Sequence, residues 1–154
     1  MSEKEKSTIE KASKSEIKLN GLYAFKEAMT SVYTESGEIV PVTVLRYEPW
    51  FVSQIKTLEK DGYAALQLVS VPKKRKNSLK SEVGQAVKAG FENGARFVKE
   101  MRVGVPEGVE LGSRVSIESL EKGQVVTISS TSKGRGFAGS VKRFNFGGGP
   151  AAHG

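Results

Sequence analysis

The chain has 154 residues, 38% of them hydrophobic, which is enough for one folded domain with its own core. Its 24 Lys and Arg outnumber its 17 Asp and Glu, and the net charge of +7 favours anionic partners. The absence of cysteine excludes disulfides, thiolate nucleophiles and Cys-based zinc sites, and no apolar run is long enough to cross a membrane.

The N-terminal stretch, residues 1 to 18, mixes Lys and Glu with Ser and lacks the apolar segment of a signal peptide. This composition predicts a charged tail that is disordered or weakly helical. With no membrane-spanning run in the sequence either, we expect a cytoplasmic protein.

The middle of the chain, residues 19 to 128, consists of short β-type runs separated by turn sequences. The runs are IVPVTVLRY, WFVSQIKTL, YAALQLVSV, RFVKEMRV, RVSIESL and GQVVTIS. Asp61-Gly62 lies between the second and third runs and predicts an antiparallel hairpin. Six short strands favour a mainly β fold with a small antiparallel β-barrel, because closure removes exposed strand edges. Trp50 is expected in its core or at its rim.

A helical insert is predicted at residues 81 to 91, where Val83, Val87 and Phe91 recur at helical spacing. A run of positive charge precedes it. Two interpretations of that run remain open, a solvated loop or a set of phosphate contacts. The residues that would make these contacts are Lys73, Lys74, Arg75 and Lys76.

The C-terminal stretch, residues 129 to 154, has the most unusual composition of the chain. It contains seven Gly, four Lys or Arg and three Phe, and it contains no acid. Such a segment cannot bury enough apolar surface to fold by itself. Uncompensated cations, glycines that allow close backbone approach and aromatic rings suit a polyanion with exposed bases, so we expect an RNA-binding extension.

A nucleotide-binding enzyme is the alternative, because residues 134 to 139 match G-x-G-x-x-G. That motif requires a helix beginning at the glycines and an acid further on to hold the ribose. Here Gly147 to Pro150 would end any helix and no acid follows Glu121. The one histidine, His153, has no nearby acid, which argues against a triad or a metal site. We therefore expect no catalytic residue, metal or cofactor.

A family resemblance rests on the string TSKGRGFAG at residues 131 to 139, followed by VKRFNF, Gly149-Pro150 and His153-Gly154. This string resembles the signature of the large-subunit ribosomal protein three family. Residues 37 to 68 and 89 to 103 resemble that family's opening strands and the following segment in order and spacing. The resemblance covers residues 19 to 154.

The resemblance implies a translation-protein-type β-barrel with a long irregular extension that enters ribosomal RNA toward the peptidyl transferase region. It implies direct binding to large-subunit ribosomal RNA, support of subunit assembly and contact with neighbouring ribosomal proteins. Carried over to this chain, the RNA-binding positions are Ser132, Lys133, Gly134, Arg135, Gly136, Phe137, Gly139, Lys142, Arg143, Phe144, Asn145, Phe146, Pro150 and His153.

The chain departs from the family pattern in its opening turn and in its length. The family has Gly-Arg-Lys-x-Gly-Met-Thr where this chain has Ala24 to Thr30, so one basic residue and two glycines are replaced. Gly149 stands where a branch of the family has a methylated Gln. Family members also continue with closing strands, so the resemblance implies an incomplete barrel for the sequence as given. Two explanations are open, a fragment or a separate chain that supplies the C-terminal part.

These observations predict a structural, non-catalytic constituent of the large ribosomal subunit without a membrane or small-molecule partner. Its expected parts are the tail to residue 18, the barrel from 19 to 128 and the extension from 129 to 154. A non-ribosomal barrel that binds a protein through an open strand edge is a further alternative.

Overall fold

The computed structural model describes residues 15 to 106, 108 to 150 and 152. The chain divides into two compact units between Lys122 and Gly123. The predicted divisions after residues 18 and 128 stay predictions, and residues 1 to 14 lie outside the described part of the chain.

Within these residues all strands belong to the first unit. They are β1 (Glu16–Ile17), β2 (Phe25–Tyr33), β3 (Ile39–Arg46), β4 (Phe51–Lys56), β5 (Ala65–Pro72), β6 (Ala95–Met101) and β7 (Arg114–Val115). The helices are α1 (Leu58–Asp61), α2 (Lys80–Ala86) and α3 (Ser140–Phe144), with 3-10 turns at Arg75–Asn77, Val87–Ala89 and Ile117–Ser119. The predicted mainly β class is confirmed.

The larger sheet has the strand order β1-β7-β4-β5-β6. Strands β4 and β5 pair antiparallel, with Phe51 opposite Val69, which confirms the predicted hairpin. Their connection is the single turn α1 and not a two-residue loop. Gly62 ends this helix with φ 77°, in the left-handed region that favours glycine.

The first strand, β1, lies inside the stretch predicted to be disordered or weakly helical. It pairs parallel with β7, and the N–H of Ser116 donates to the carbonyl oxygen of Ile17 at 2.8 Å. Ile17 also packs against the core. The prediction therefore differs from the structure at Glu16–Ile17, because a distant strand supplies hydrogen bonds that local composition does not reveal.

Strands β2 and β3 form a separate antiparallel ribbon, and β2 was not among the predicted runs. The pairs run from Phe25 opposite Arg46 to Tyr33 opposite Ile39. Gly37, with φ 84°, lies in the turn that joins the two strands. Most ribbon side chains are exposed on both faces.

The described strands form no closed barrel. A barrel requires its first and last strands to pair, whereas here β1 and β6 are sheet edges and β3 pairs with β2 alone. The predicted strand GQVVTIS is wrong, since no strand forms there and Val125 is 95% exposed. Alternation makes a strand only where a neighbouring strand accepts its hydrogen bonds.

The core lies on both faces of the larger sheet. One cluster of buried residues contains Leu19, Trp50, Val52, Leu66, Leu68 and Val115. The second contains Phe51, Val69 and Ala95 from the sheet with Ala86, Ala89 and Phe91. The predicted helical insert is confirmed as α2 with its 3-10 turn, and Ala86 and Ala89, not Val87, face the core. Trp50 is a core residue, as expected.

Candidate nucleic-acid interface

The C-terminal unit has little regular structure in its described residues. Its helix α3 follows Gly139 as N-cap and ends at Phe144, with Asn145 as C-cap at φ 56°. Gly136 and Gly148 have φ 76° and 67°, a backbone conformation that glycine adopts without strain. A Cβ at Gly134 or Gly139 would meet no atom within 4 Å, so the backbone there is open to a close partner.

Among residues 123 to 150 and at residue 152, the side chains are exposed except for the partly buried Ala138. Phe137 is 93% exposed, Phe144 63% and Phe146 61%. Three large aromatic side chains thus present apolar surface outside any core. Exposed aromatic surface of this kind marks a binding surface more often than a structural element.

Two of these rings are grouped around α3. The centroids of Phe144 and Phe146 lie 6.1 Å apart at an interplanar angle of 35°. The guanidinium carbon of Arg143 lies 5.4 Å from the centroid of Phe144, in cation–π geometry. Aromatic faces and guanidinium planes are the surfaces on which unstacked RNA bases stack.

The cations of the extension have no local counter-charge. Within the part of the chain that the structure describes, Lys133, Arg135, Lys142 and Arg143 form no salt bridge. The sequence explains this, because no acid follows Glu121. Four uncompensated charges therefore accompany the exposed rings.

The other positions that the resemblance implied have less specific surroundings. Ser132 and Pro150 are exposed, and Asn145 forms the C-cap of α3. His153 lies outside the described residues.

The basic loop, residues 73 to 76, joins β5 to α2. The Lys73 Nζ lies 2.6 Å from Oε2 of Glu82. The hydrogen bond from Lys73 lowers the pKa of Glu82 below its ordinary value, and the N–H of Leu79 adds to the effect. The charge of Lys73 is therefore compensated by Glu82, which distinguishes Lys73 from the rest of the run.

The remaining cations of the basic loop, Lys74, Arg75 and Lys76, are exposed and form no salt bridge with any described residue. The loop backbone is tethered, since the N–H of Lys73 donates to the carbonyl oxygen of Gly94 at 3.0 Å and the hydroxyl of Ser78 donates to that of Lys74 at 3.0 Å. Three exposed positive charges therefore lie on a loop whose backbone is fixed by hydrogen bonds. The basic loop and the extension belong to different compact units.

Sequence reasoning missed a cleft in the first unit, where Phe25, Arg46, Arg96 and Phe97 come together. The one sequence signal for this cleft was the altered opening turn, in which Phe25 stands where the family pattern has Arg.

No helix in residues 15 to 106 or 108 to 150 has the length and apolar character needed to cross a membrane.

Comparison with models of protein families gave no match. Comparison with curated proteins gave several matches. The chain is 63% identical over 147 residues to the large ribosomal subunit protein uL3 of Bdellovibrio bacteriovorus, covering 96% of this chain and 67% of that protein. The chain belongs to the uL3 family. This confirms the predicted family, which is one of ribosomal proteins and not of enzymes.

More distant uL3 proteins give the same result. The protein of a Synechococcus strain is 41% identical and that of Cellvibrio japonicus 42%, each over 134 residues and 87% of this chain. The chain covers 63% and 62% of these two proteins. It therefore spans about two thirds of the length of the curated uL3 relatives that it matches.

Proposed function

We propose that this chain is a structural component of the large ribosomal subunit that binds large-subunit ribosomal RNA directly. The extension, residues 129 to 154, is the principal RNA-binding element. It reaches toward the peptidyl transferase region and supports subunit assembly in the cytoplasm. The name of the uL3 relatives supports the ribosomal part of this proposal.

The RNA-binding part rests on one observation, the combination of uncompensated cations and exposed aromatic rings in the extension. Each cation that neutralises a phosphate releases condensed counterions, which favours binding at low salt. Base stacking on an aromatic side chain contributes about 1 to 3 kcal/mol per base. Lys74, Arg75 and Lys76 of the basic loop add phosphate contacts from the first unit, whereas Lys73 contributes less because Glu82 already neutralises it.

The test is the salt dependence of binding to large-subunit ribosomal RNA. Binding constants are measured across a salt series for the chain and for a variant with Lys133, Arg135, Lys142 and Arg143 replaced by Ala. Each lost phosphate contact reduces the slope of log K against log salt by about 0.7 on single strands and about 0.9 on duplex. Four lost contacts reduce its magnitude by roughly 2.8 to 3.6.

A matched control removes four charges elsewhere. Lys26, Lys60, Lys88 and Lys99 are exposed, and none belongs to the proposed RNA-binding surfaces. Their replacement by Ala lowers the net charge by the same amount and should change the slope much less. An equal change in both variants would show that bulk charge, not the extension, governs binding.

A protein partner is proposed for the ribbon. One face of the ribbon carries Ala28, Thr30 and Val32 opposite Val44, Val42 and Val40, a mostly apolar surface that is largely exposed. Besides neighbouring ribosomal proteins, we propose that this face binds a polypeptide segment equivalent to the C-terminal third of the uL3 relatives. The corresponding segment of the Bdellovibrio bacteriovorus protein should bind and protect the ribbon amides from exchange, and Val40→Lys should prevent this. Unchanged exchange would exclude that partner.

A further inference from the structure

The first unit contains a cleft of about 310 Å³ between the base of the ribbon, the paired strands β5 and β6 and the residues before β4. This volume is at the lower end of the range for small-molecule sites, about 300 to 1,000 Å³. The cleft can therefore admit one ring system but not a folded segment.

The walls of the cleft are aromatic. Phe25 and Phe97 are partly buried, with ring centroids 4.7 Å apart and an interplanar angle of 50°. Phe51 and Phe91, which also line the cleft, are buried at 5.5 Å in an edge-to-face arrangement. Phe25 and Phe97 pack against the core cluster that contains Trp50, which holds their rings in place beside the cleft.

Two arginines flank these rings but differ in charge compensation. The guanidinium of Arg46 lies 5.5 Å from the centroid of Phe25 and bonds to Glu27 at 2.9 Å and to Glu48. The guanidinium of Arg96 lies 5.3 Å from the centroid of Phe97, and it forms no salt bridge among the described residues. Arg96 is therefore available to an anionic group, while the Arg46–Glu48 pair offers donors and acceptors to a polar ring edge.

The backbone at the cleft also has an unusual conformation. Val71 has φ 58° and stands between Ser70, paired with Phe97, and Pro72, paired with Ala95. A β-branched residue in the left-handed region is strained, and such strain persists where the surroundings fix it, commonly at ligand sites.

We propose that this cleft binds one unstacked nucleobase of the RNA partner, with its ring against Phe25 and Phe97 and its phosphate on Arg96. This rests on the proposed RNA-binding function. An aliphatic peptide side chain fits less well, since it offers no anionic group to Arg96 and no hydrogen-bonding group to the Arg46–Glu48 pair. A nucleotide satisfies the rings, the cation and the polar pair together.

The probes are the four nucleoside 5′-monophosphates, with inorganic phosphate and ribose 5-phosphate as base-free controls. The 154-residue chain is used. Binding is followed by the fluorescence of Trp50, the only tryptophan, whose ring lies 6.3 Å from that of Phe25, and by the backbone and Arg side-chain NMR signals of the cleft. We expect saturable binding of at least one monophosphate, with shifts at Phe25, Arg96 and Phe97.

Arg96→Gln should weaken this binding by about tenfold, because it removes a charge-assisted hydrogen bond. Lys99→Gln on the same strand is the matched control and should leave it nearly unchanged. Thermal melting of both variants establishes that each is folded, and Arg96→Lys, which keeps the charge, should bind between the chain and Arg96→Gln.

Three results would contradict the proposal that the cleft binds a nucleotide. These are the absence of saturable shifts, equal shifts with inorganic phosphate alone, or equal weakening by Arg96→Gln and Lys99→Gln. Salt-dependent binding of ribosomal RNA, measured for the chain and for the variant with Lys133, Arg135, Lys142 and Arg143 replaced by Ala, tests the proposed function separately from the cleft. Salt-dependent RNA binding without monophosphate binding refutes the cleft alone, whereas monophosphate binding without RNA binding refutes the proposed function alone.

Discussion

Replacing Leu66 by Ala should destabilise the first unit by about 3 to 4 kcal/mol. Leu66 is fully buried, lies opposite Ile55 in β4 and Met101 in β6, and packs in the same cluster as Trp50. The substitution removes three carbon atoms, and at about 0.8 kcal/mol each their transfer accounts for about 2.4 kcal/mol. The cavity left between the sheet and its covering side chains adds the rest.

The assay is urea unfolding followed by the fluorescence of Trp50, which reports on this cluster alone because the chain has no other tryptophan. With a slope of about 1.5 kcal/mol per molar urea, the midpoint should fall by about 2 M. Single domains are stable by about 5 to 15 kcal/mol in total, so the variant should fold with a small margin.

The control is Leu58→Ala in α1, where the side chain is 71% exposed and should contribute less than about 0.5 kcal/mol. If Leu66→Ala unfolds at the same urea concentration as Leu58→Ala, Leu66 is not in a packed core and the described sheet is wrong.

Three further predictions concern the pH response, a turn and the extension. The Nζ of Lys56 lies 2.7 Å from Glu100 and keeps the pKa of that carboxyl below its ordinary value. The stability that the charged Glu100 gives the folded chain should therefore be lost as pH falls through the lowered pKa. Glu100→Gln should show a weaker pH dependence of the free energy of unfolding in this acidic range, measured by urea unfolding at several pH values. Gly62→Ala should cost about 1 to 2 kcal/mol in urea unfolding, because φ is 77°; no cost would contradict that geometry. Phe144→Ala should leave the urea midpoint unchanged and weaken RNA binding by about 1 to 3 kcal/mol, and unaltered affinity would exclude stacking there.

The parts of the fold that the sequence predicted are those with local signals. Asp61-Gly62 between two β-type runs predicted the β4–β5 hairpin, and the spacing around Val83 predicted α2. Strand β1 depends on β7, about a hundred residues away in the chain, and its two residues carry no strand pattern. The run GQVVTIS shows the opposite case, since it has the alternation but no described partner strand.

The candidate site divides in the same way. Composition alone predicted the extension as an RNA-binding segment, because the lack of acids and the presence of four cations can be read directly from the sequence; it stays a prediction. The pairing of Lys73 with Glu82 required the fold, which brings α2 back to the end of β5. The cleft could not be predicted, because Phe25, Arg46 and Arg96 come from three different strands and meet only through the register of the ribbon and the packing of Phe25 on Phe97.

The most direct test of RNA binding by the extension is amide hydrogen exchange of the chain with and without large-subunit ribosomal RNA. We expect residues 129 to 150 to gain protection when RNA is added, while the β4–β5 hairpin amides of the larger sheet keep the exchange rates that they have without RNA. Extension amides that exchange equally fast in both samples, when RNA is bound, would contradict the account.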